Sequence, residues 1–125
     1  MNKKVDLKRI LKKVEKPARY LGSEINSIHK DTSNENLIRY AHCFPDLYEV
    51  GMSHLGSHIL YDVINRDEEV FCERVYAPNV DMEEKMRQNN IPLFALESRE
   101  PITNFDFLAF TLQYELSYTN ILNML

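Results

Sequence analysis

Strand-length apolar runs alternate with segments of helical spacing, and this alternation constrains the fold more than any other feature of the chain. LIRYAHCF at 37–44, VFCERVYA at 70–77 and FLAFTL at 107–112 are the clearest of these runs. Pro45 and Pro78 stop the first two. Between them, 54–65 places Leu55, Ile59, Leu60, Val63 and Ile64 on one helical face, with Ser53 as the predicted N-cap. Residues 81–90 read as a second short helix with Met82, Met86 and many outward charges, and PLFALE at 92–97 as a further strand. The run at 107–112 is continuous enough to be buried on both faces, as at the centre of a parallel sheet. Strands joined through helices pair in parallel by right-handed crossovers. The expected fold is α/β: a Rossmann-like three-layer domain with a mainly parallel sheet, whose ligands collect at the carboxyl ends of the strands.

After Tyr114, ELSYTNILNML opens another helix, and its apolar residues Leu116, Ile121, Leu122 and Leu125 run on without a Gly or polar closure. The expectation is a domain cut short inside a helix, incomplete at its C-terminus, whose open apolar stripe favours self-association.

The start of the chain has a different character. Lys3, Lys4, Lys8, Arg9, Lys12, Lys13, Lys16 and Arg19 stand against only Asp6 and Glu15, although the whole chain carries a net charge of −4. Val5, Leu7, Ile10, Leu11 and Val14 recur at helical spacing, which predicts an amphipathic basic helix over about 4–15 that ends before Pro17. Its lysine face suits either a solvated surface or a docking site for RNA or another domain. From Tyr20 to Asn36 the chain is a polar arm with turn residues Gly22, Ser23, Asn26, Ser27, Asp31, Ser33 and Asn34. The organisation expected is a basic helix with its connecting arm at 1–36 and the sheet domain at 37–125. No apolar stretch is long enough to cross a bilayer. Cys43 and Cys72 sit in apolar runs and read as buried thiols of a reducing compartment, which makes a cytoplasmic location the default.

Two loops occupy the expected ligand side of the sheet: PDLYEVGMSHLG at 45–56 and the segment at 111–120. In the first, Gly51 and Gly56 permit close backbone approach, and the helix start offers free N–H groups. In the second, Thr111, Gln113 and Tyr114, with Tyr118 and Asn120 beside them, offer hydrogen bonds to a ligand across the sheet edge or close an interface to another domain. His54 and His58 have the i, i+4 spacing of a metal pair but lack the accompanying Glu of a zinc signature; polar contact or packing suits His54 and the surface suits His58, while His29 and His42 fit a metal still less well. Asp81, Glu83 and Glu84 read as charges that complement a helix start. No catalytic residue and no metal ligand is assigned, because no Ser/His/Asp set, P-loop, Cys-x-x-Cys pair or paired carboxylates can be assembled.

Five ordered blocks, KPARYLGSEINS, FPDLYEVGMSHLGSHILY, ERVYAPNVDMEEKM, IPLFALESREP and FDFLAFTLQYELSYTNILNML, together resemble the start of a family of radical S-adenosylmethionine proteins over residues 16–125. The resemblance implies that 37–125 is an N-terminal cobalamin-binding-like domain of Rossmann type. It also implies a C-terminal barrel of the same chain, whose Cys-x-x-x-Cys-x-x-Cys motif holds a 4Fe-4S cluster that cleaves S-adenosylmethionine. On that reading these residues form an accessory domain without catalysis of their own, within an iron–sulfur enzyme of unknown substrate. Cys43 and Cys72 lack the cluster spacing, so cluster and S-adenosylmethionine belong to the barrel. Cobalamin is an open candidate: in the lower-ligand motif Asp-x-His-x-x-Gly, Met52 stands where the aspartate would be and Gly56 follows His54 one residue too soon, so a His-ligated form is not expected. The candidate cofactor-binding set is Gly51, Met52, Ser53, His54, Gly56, Thr111, Gln113 and Tyr114. The alternative is a non-catalytic module that binds protein or RNA through its basic helix.

Overall fold

The computed structural model describes residues 4–22 and 24–125; Lys3 of the basic run and Ser23 of the polar arm lie outside the described residues. Three parallel strands, β1 (Ile38–Phe44), β2 (Val70–Tyr76) and β3 (Phe107–Phe110), form a sheet in the order β2-β1-β3. In register, Ile38 stands opposite Val70 and Tyr40 opposite Phe107. Helices α1 (Tyr48–Met52) and α2 (Leu55–Asn65) connect β1 to β2, α3 (Val80–Gln88) follows β2, and α4 (Ser117–Met124) follows β3. This is the expected α/β, Rossmann-like arrangement, and no described helix is long and apolar enough to cross a membrane.

Alternation along β1 sends Arg39, Ala41 and Cys43 to one face and Tyr40, His42 and Phe44 to the other. On the first face Ala41, Cys43 and Val75 pack with Ala95, Ile102 and Met124 of α4. On the second lies α2, but not by its apolar stripe: Leu55, Ile59, Leu60 and Val63 are exposed, and the buried positions are Ser57, Tyr61 and Asn65. The sheet beneath is itself polar. His42 meets Ser57, the Arg74 guanidinium lies 4.6 Å from the Tyr61 ring centroid, and Asn65 meets the Cys72 backbone. Buried polar groups need partners, and these partners decide which side of the helix faces in.

Four expectations are corrected. Residues 4–15 do not form an amphipathic α-helix; the segment holds a 3-10 turn at Leu11–Lys13, and a second follows it at Pro17–Tyr20. Lys4/Lys8, Lys8/Lys12, Arg9/Lys13 and Lys12/Lys16 would set like charges four residues apart along a helix, which opposes it. Leu7 and Ile10 are instead drawn into a second cluster with Tyr20, Met82, Met86 and Phe94, and Val5 N–H donates to Arg99 O at 2.8 Å.

PLFALE is no strand, contributing only an isolated bridge from Phe94 to Pro101. Buried ion pairs pull this segment into a turn. Arg74 Nε donates to Glu97 Oε1 at 2.6 Å, Ser98 N–H donates to Glu73 Oε1 at 2.9 Å, and Arg39 pairs with Glu73 and Glu100 beneath it. β3 is not the central strand: among the described residues it is an edge, with Phe107 58% exposed, and β1 takes the centre. Finally, Ser53 does not cap α2. It closes α1, with its hydroxyl donating to Glu49 O at 2.7 Å, and His54 is the N-cap.

Candidate functional site

The loops after β1 and β3 meet in one cleft of about 270 Å3, lined by Phe44, Pro45, Asp46, Val50, Ser53, His54, Gln113, Tyr114 and Ser117. It lies at the carboxyl ends of two parallel strands, where an α/β sheet presents its ligands. Pro45 ends β1, and Asn120 of α4 donates from Nδ2 to Pro45 O at 2.9 Å, which ties the two walls together. Asp46 turns the chain: its Oδ1 accepts from Leu47 N–H at 2.7 Å and its carbonyl from Ala77 N–H at 3.0 Å. At about 270 Å3 the cleft falls just below the roughly 300–1,000 Å3 typical of small-molecule sites, so it accommodates one edge of a ligand. A second cavity of about 310 Å3 lies between α3 and α4, lined by residues such as Met86, Arg87 and Asn123, and draws on neither strand-end loop.

His54 is the most constrained side chain in the wall. Its Nδ1 accepts from Ser57 N–H at 3.1 Å and lies 2.8 Å from Ser57 Oγ, while its ring lies against Phe44 at a centroid distance of 5.3 Å. Ser57 Oγ also lies 3.0 Å from Nε2 of buried His42. Burial lowers the pKa of His42, and the neighbouring His54 lowers it further.

Of the eight candidate residues, the cleft gathers Ser53, His54, Gln113 and Tyr114. The other four are engaged elsewhere. A Cβ on Gly51 would lie 2.0 Å from Tyr76 Cε1, so this glycine lets the Tyr76 ring pack on α1. A Cβ on Gly56 would come within 3.1 Å of His54 Cε1, so this one leaves room for the capping imidazole. Met52 turns inward, its sulfur accepting from Arg74 Nη1 and Tyr76 Oη, each at 3.3 Å. Thr111 N–H continues the ladder to Cys43 O at 3.1 Å, while its buried Oγ1 has no hydrogen-bond partner. His58 is held by Met52 O and forms no pair with His54. Asp46, Val50 and Ser117 fall inside the two loops named from the sequence but were not singled out there, and the buried His42–Ser57 pair was missed, since no local pattern joins a strand residue to a helix residue fifteen positions on.

No group of three His, Cys, Asp or Glu side chains among the described residues could hold a metal ion. Cys43 and Cys72 are both buried free thiols, pointing to opposite faces of the sheet by strand alternation, and burial pushes each up to about 12. These residues do not fit an iron–sulfur cluster. His54 does not fit a cobalt ligand either: its Nδ1 is saturated by donors, which leaves the proton on Nε2, the only nitrogen still free to bind.

A parallel α/β sheet with a cleft at the carboxyl ends of two strands defines a Rossmann-like domain. Its family is shown by comparison: residues 56–125 match the model of radical SAM proteins, N-terminal, where SAM is S-adenosylmethionine, and the chain belongs to that family. β1 and the first loop precede the matched span yet form the centre of the same sheet and one wall of its cleft. No curated protein and no solved structure matches the chain.

Proposed function

We propose that this domain is the accessory part of a radical S-adenosylmethionine enzyme, and that its cleft holds one edge of a cofactor or substrate against the enzyme's barrel. The convergence of the two strand-end loops on one cleft carries this reading. The 4Fe-4S cluster and S-adenosylmethionine that the family implies belong to the barrel, since the donors described here do not fit a cluster.

Cobalamin is the first cofactor to test, bound through its periphery and without a protein ligand on cobalt. When bound, it would supply alkyl transfer or electron transfer at cobalt. This chain's part is to present Gln113, Tyr114 and His54 to the periphery and to exclude water with Phe44 and Val50. The test is gel filtration with hydroxocobalamin. Co-elution of the corrinoid with its spectrum unshifted supports the reading, whereas free migration of the corrinoid removes cobalamin, and a spectrum shifted by imidazole ligation contradicts the His54 assignment.

The alternative, an RNA- or protein-binding module, rests on the exposed Lys8, Arg9, Lys12 and Lys13, which here share no helical face. Salt-sensitive RNA binding lost on neutralising those four would favour it.

A further inference from the structure

We infer that Ser57 and His42 are positioning residues that fix His54 in one tautomer, with Nε2–H as a hydrogen-bond donor at the cleft, so that the site selects a ligand edge bearing an uncharged carbonyl or carboxamide oxygen. This inference rests on the proposed use of the cleft as a ligand site.

The direction of each hydrogen bond follows from the geometry. Ser57 N–H, 3.1 Å from His54 Nδ1, can only donate, so Nδ1 is an acceptor and carries no proton. Ser57 Oγ, 2.8 Å from the same nitrogen, must then donate to it as well, because two lone pairs at that distance would repel. The Ser57 hydroxyl has one proton. With that proton directed at His54, its oxygen is left to accept, and the partner at 3.0 Å is His42 Nε2, which therefore carries the hydrogen. The chain reads His42 Nε2–H to Ser57 Oγ–H to His54 Nδ1, and taken back from His54 each step forces the next.

Ser57 and His42 are both buried, so water does not offer this chain an alternative partner. A neutral imidazole with Nδ1 unprotonated bears its hydrogen on Nε2. His54 lines the cleft, its ring held by Phe44 on one side and by the space over Gly56 on the other. The charge of the lining sets the ligand class. Asp46 is the only formal charge in the wall and no cation accompanies it, which disfavours an anionic edge. The apolar lining from Phe44, Pro45 and Val50 favours a neutral group with a carbonyl oxygen aimed at Nε2–H.

The test is long-range 1H–15N correlation of the histidine rings at neutral pH, first free and then with N-methylacetamide or acetate as probe. The expected result is a single Nε2–H form for both His54 and His42. Ser57→Ala removes the hydroxyl but keeps the backbone N–H, so it should leave His54 in the Nε2–H form with a shifted Nδ1 signal and release His42 to both tautomers; Ser57→Thr, which restores the hydroxyl, should return both rings to the single form. N-methylacetamide should shift His54 Nε2 and bind roughly five-fold more weakly to Ser57→Ala, as expected for one net hydrogen bond; acetate should bind less well than the amide. An Nδ1–H form of His54 in the unaltered chain, a Ser57→Ala spectrum identical to it, or preference for acetate overturns the inference. If Ser57→Ala fails to fold, His42→Phe serves in its place: it removes the donor to Ser57 Oγ and should shift the His54 Nδ1 signal, whereas His42→Gln, whose amide N–H still donates to Ser57, should not, and equal spectra for the two overturn the inference. Failure of hydroxocobalamin to co-elute while the tautomer holds counts against cobalamin as the ligand and leaves this inference standing.

Discussion

Asn65, at the end of α2, holds Cys72 in β2 by both of that residue's backbone polar groups: Asn65 Nδ2 donates to Cys72 O and Cys72 N–H donates to Asn65 Oδ1, each at 2.9 Å. The side chain takes the place of a neighbouring strand. The rest of this edge is occupied in the same manner, with Lys30 Nζ donating to Val70 O, Glu97 Oε2 accepting from Arg74 N–H and Leu96 N–H donating to Arg74 O. β2 is thereby closed to further strands on its outer side, as a managed sheet edge must be.

Asn65→Ala leaves a buried donor and a buried acceptor of Cys72 without partners, so the expected loss is about 3 kcal/mol of folding stability, at roughly 1–3 kcal/mol for each such group. Urea denaturation measures it. An exposed neighbour, Arg66→Ala, should cost less than about 0.5 kcal/mol, since its pair with Asp62 is a surface bridge.

Arg39 lies buried between Glu73 and Glu100, with its guanidinium 4.7 Å from the Phe105 ring centroid. Arg39→Met removes the cation and strands two buried carboxylates, at an expected cost of about 3–5 kcal/mol. Exchanging all three, Arg39→Met with Glu73→Leu and Glu100→Leu, should recover much of that loss, because no unpaired charge remains. Denaturant midpoints of the single and triple variants decide the point.

Cys43 and Cys72 should be inert toward a disulfide reagent in the native chain, since burial pushes both thiols up to about 12 and leaves almost no thiolate at neutral pH. Both should react fully in denaturant. Rapid labelling of the native protein would contradict their placement.

His42 makes stability depend on pH. Its native pKa is lowered by burial and by His54, so below the unfolded value of about 6.5 the unfolded chain takes up a proton that the native ring refuses. Its contribution is present in full above about 6.5 and declines as pH falls below that toward the lowered native value. The carboxylates held below their ordinary range, such as Glu49 by Arg19 and Glu83 by Arg87, act only below about 4.5, whereas Glu97, raised by burial, acts above it and in the opposite sense. The share of His42 is therefore a difference: the fall in denaturant midpoint from about pH 7 to about pH 5 should be steeper in the unaltered chain than in His42→Gln, which keeps Glu97.

Much of the frame was legible from local pattern. The runs at 37–44 and 70–77 became β1 and β2, because Pro45 and Pro78 end strands that only an apolar core can hold. The two loops that alternation places at the strand ends do meet in one cleft. What local pattern missed turns on charges inside the strand-like runs, to which the sequence reading gave no role. Arg39 joins Glu73 and Glu100 across 34 and 61 positions, and Arg74 joins Glu97 across 23, distances to which no helical or strand period is sensitive. Those pairs bend PLFALE into a turn. Similarly, α2 showed a clear apolar stripe, yet Ser57, Tyr61 and Asn65 face the sheet because their partners, His42, Arg74 and Cys72, lie on other elements. The capping role of His54 was hidden because Ser53, one residue earlier, has the stronger N-cap preference.

The most direct measurement is the amide 1H–15N spectrum of the protein titrated with hydroxocobalamin, since the central claim is that the strand-end cleft holds one edge of a ligand. The account predicts saturable shifts confined to the cleft, at Asp46, Val50, His54, Gln113 and Ser117, with residues around Met86 and Asn123 unmoved. Shifts centred on the cavity between α3 and α4, with the cleft unmoved, would contradict it.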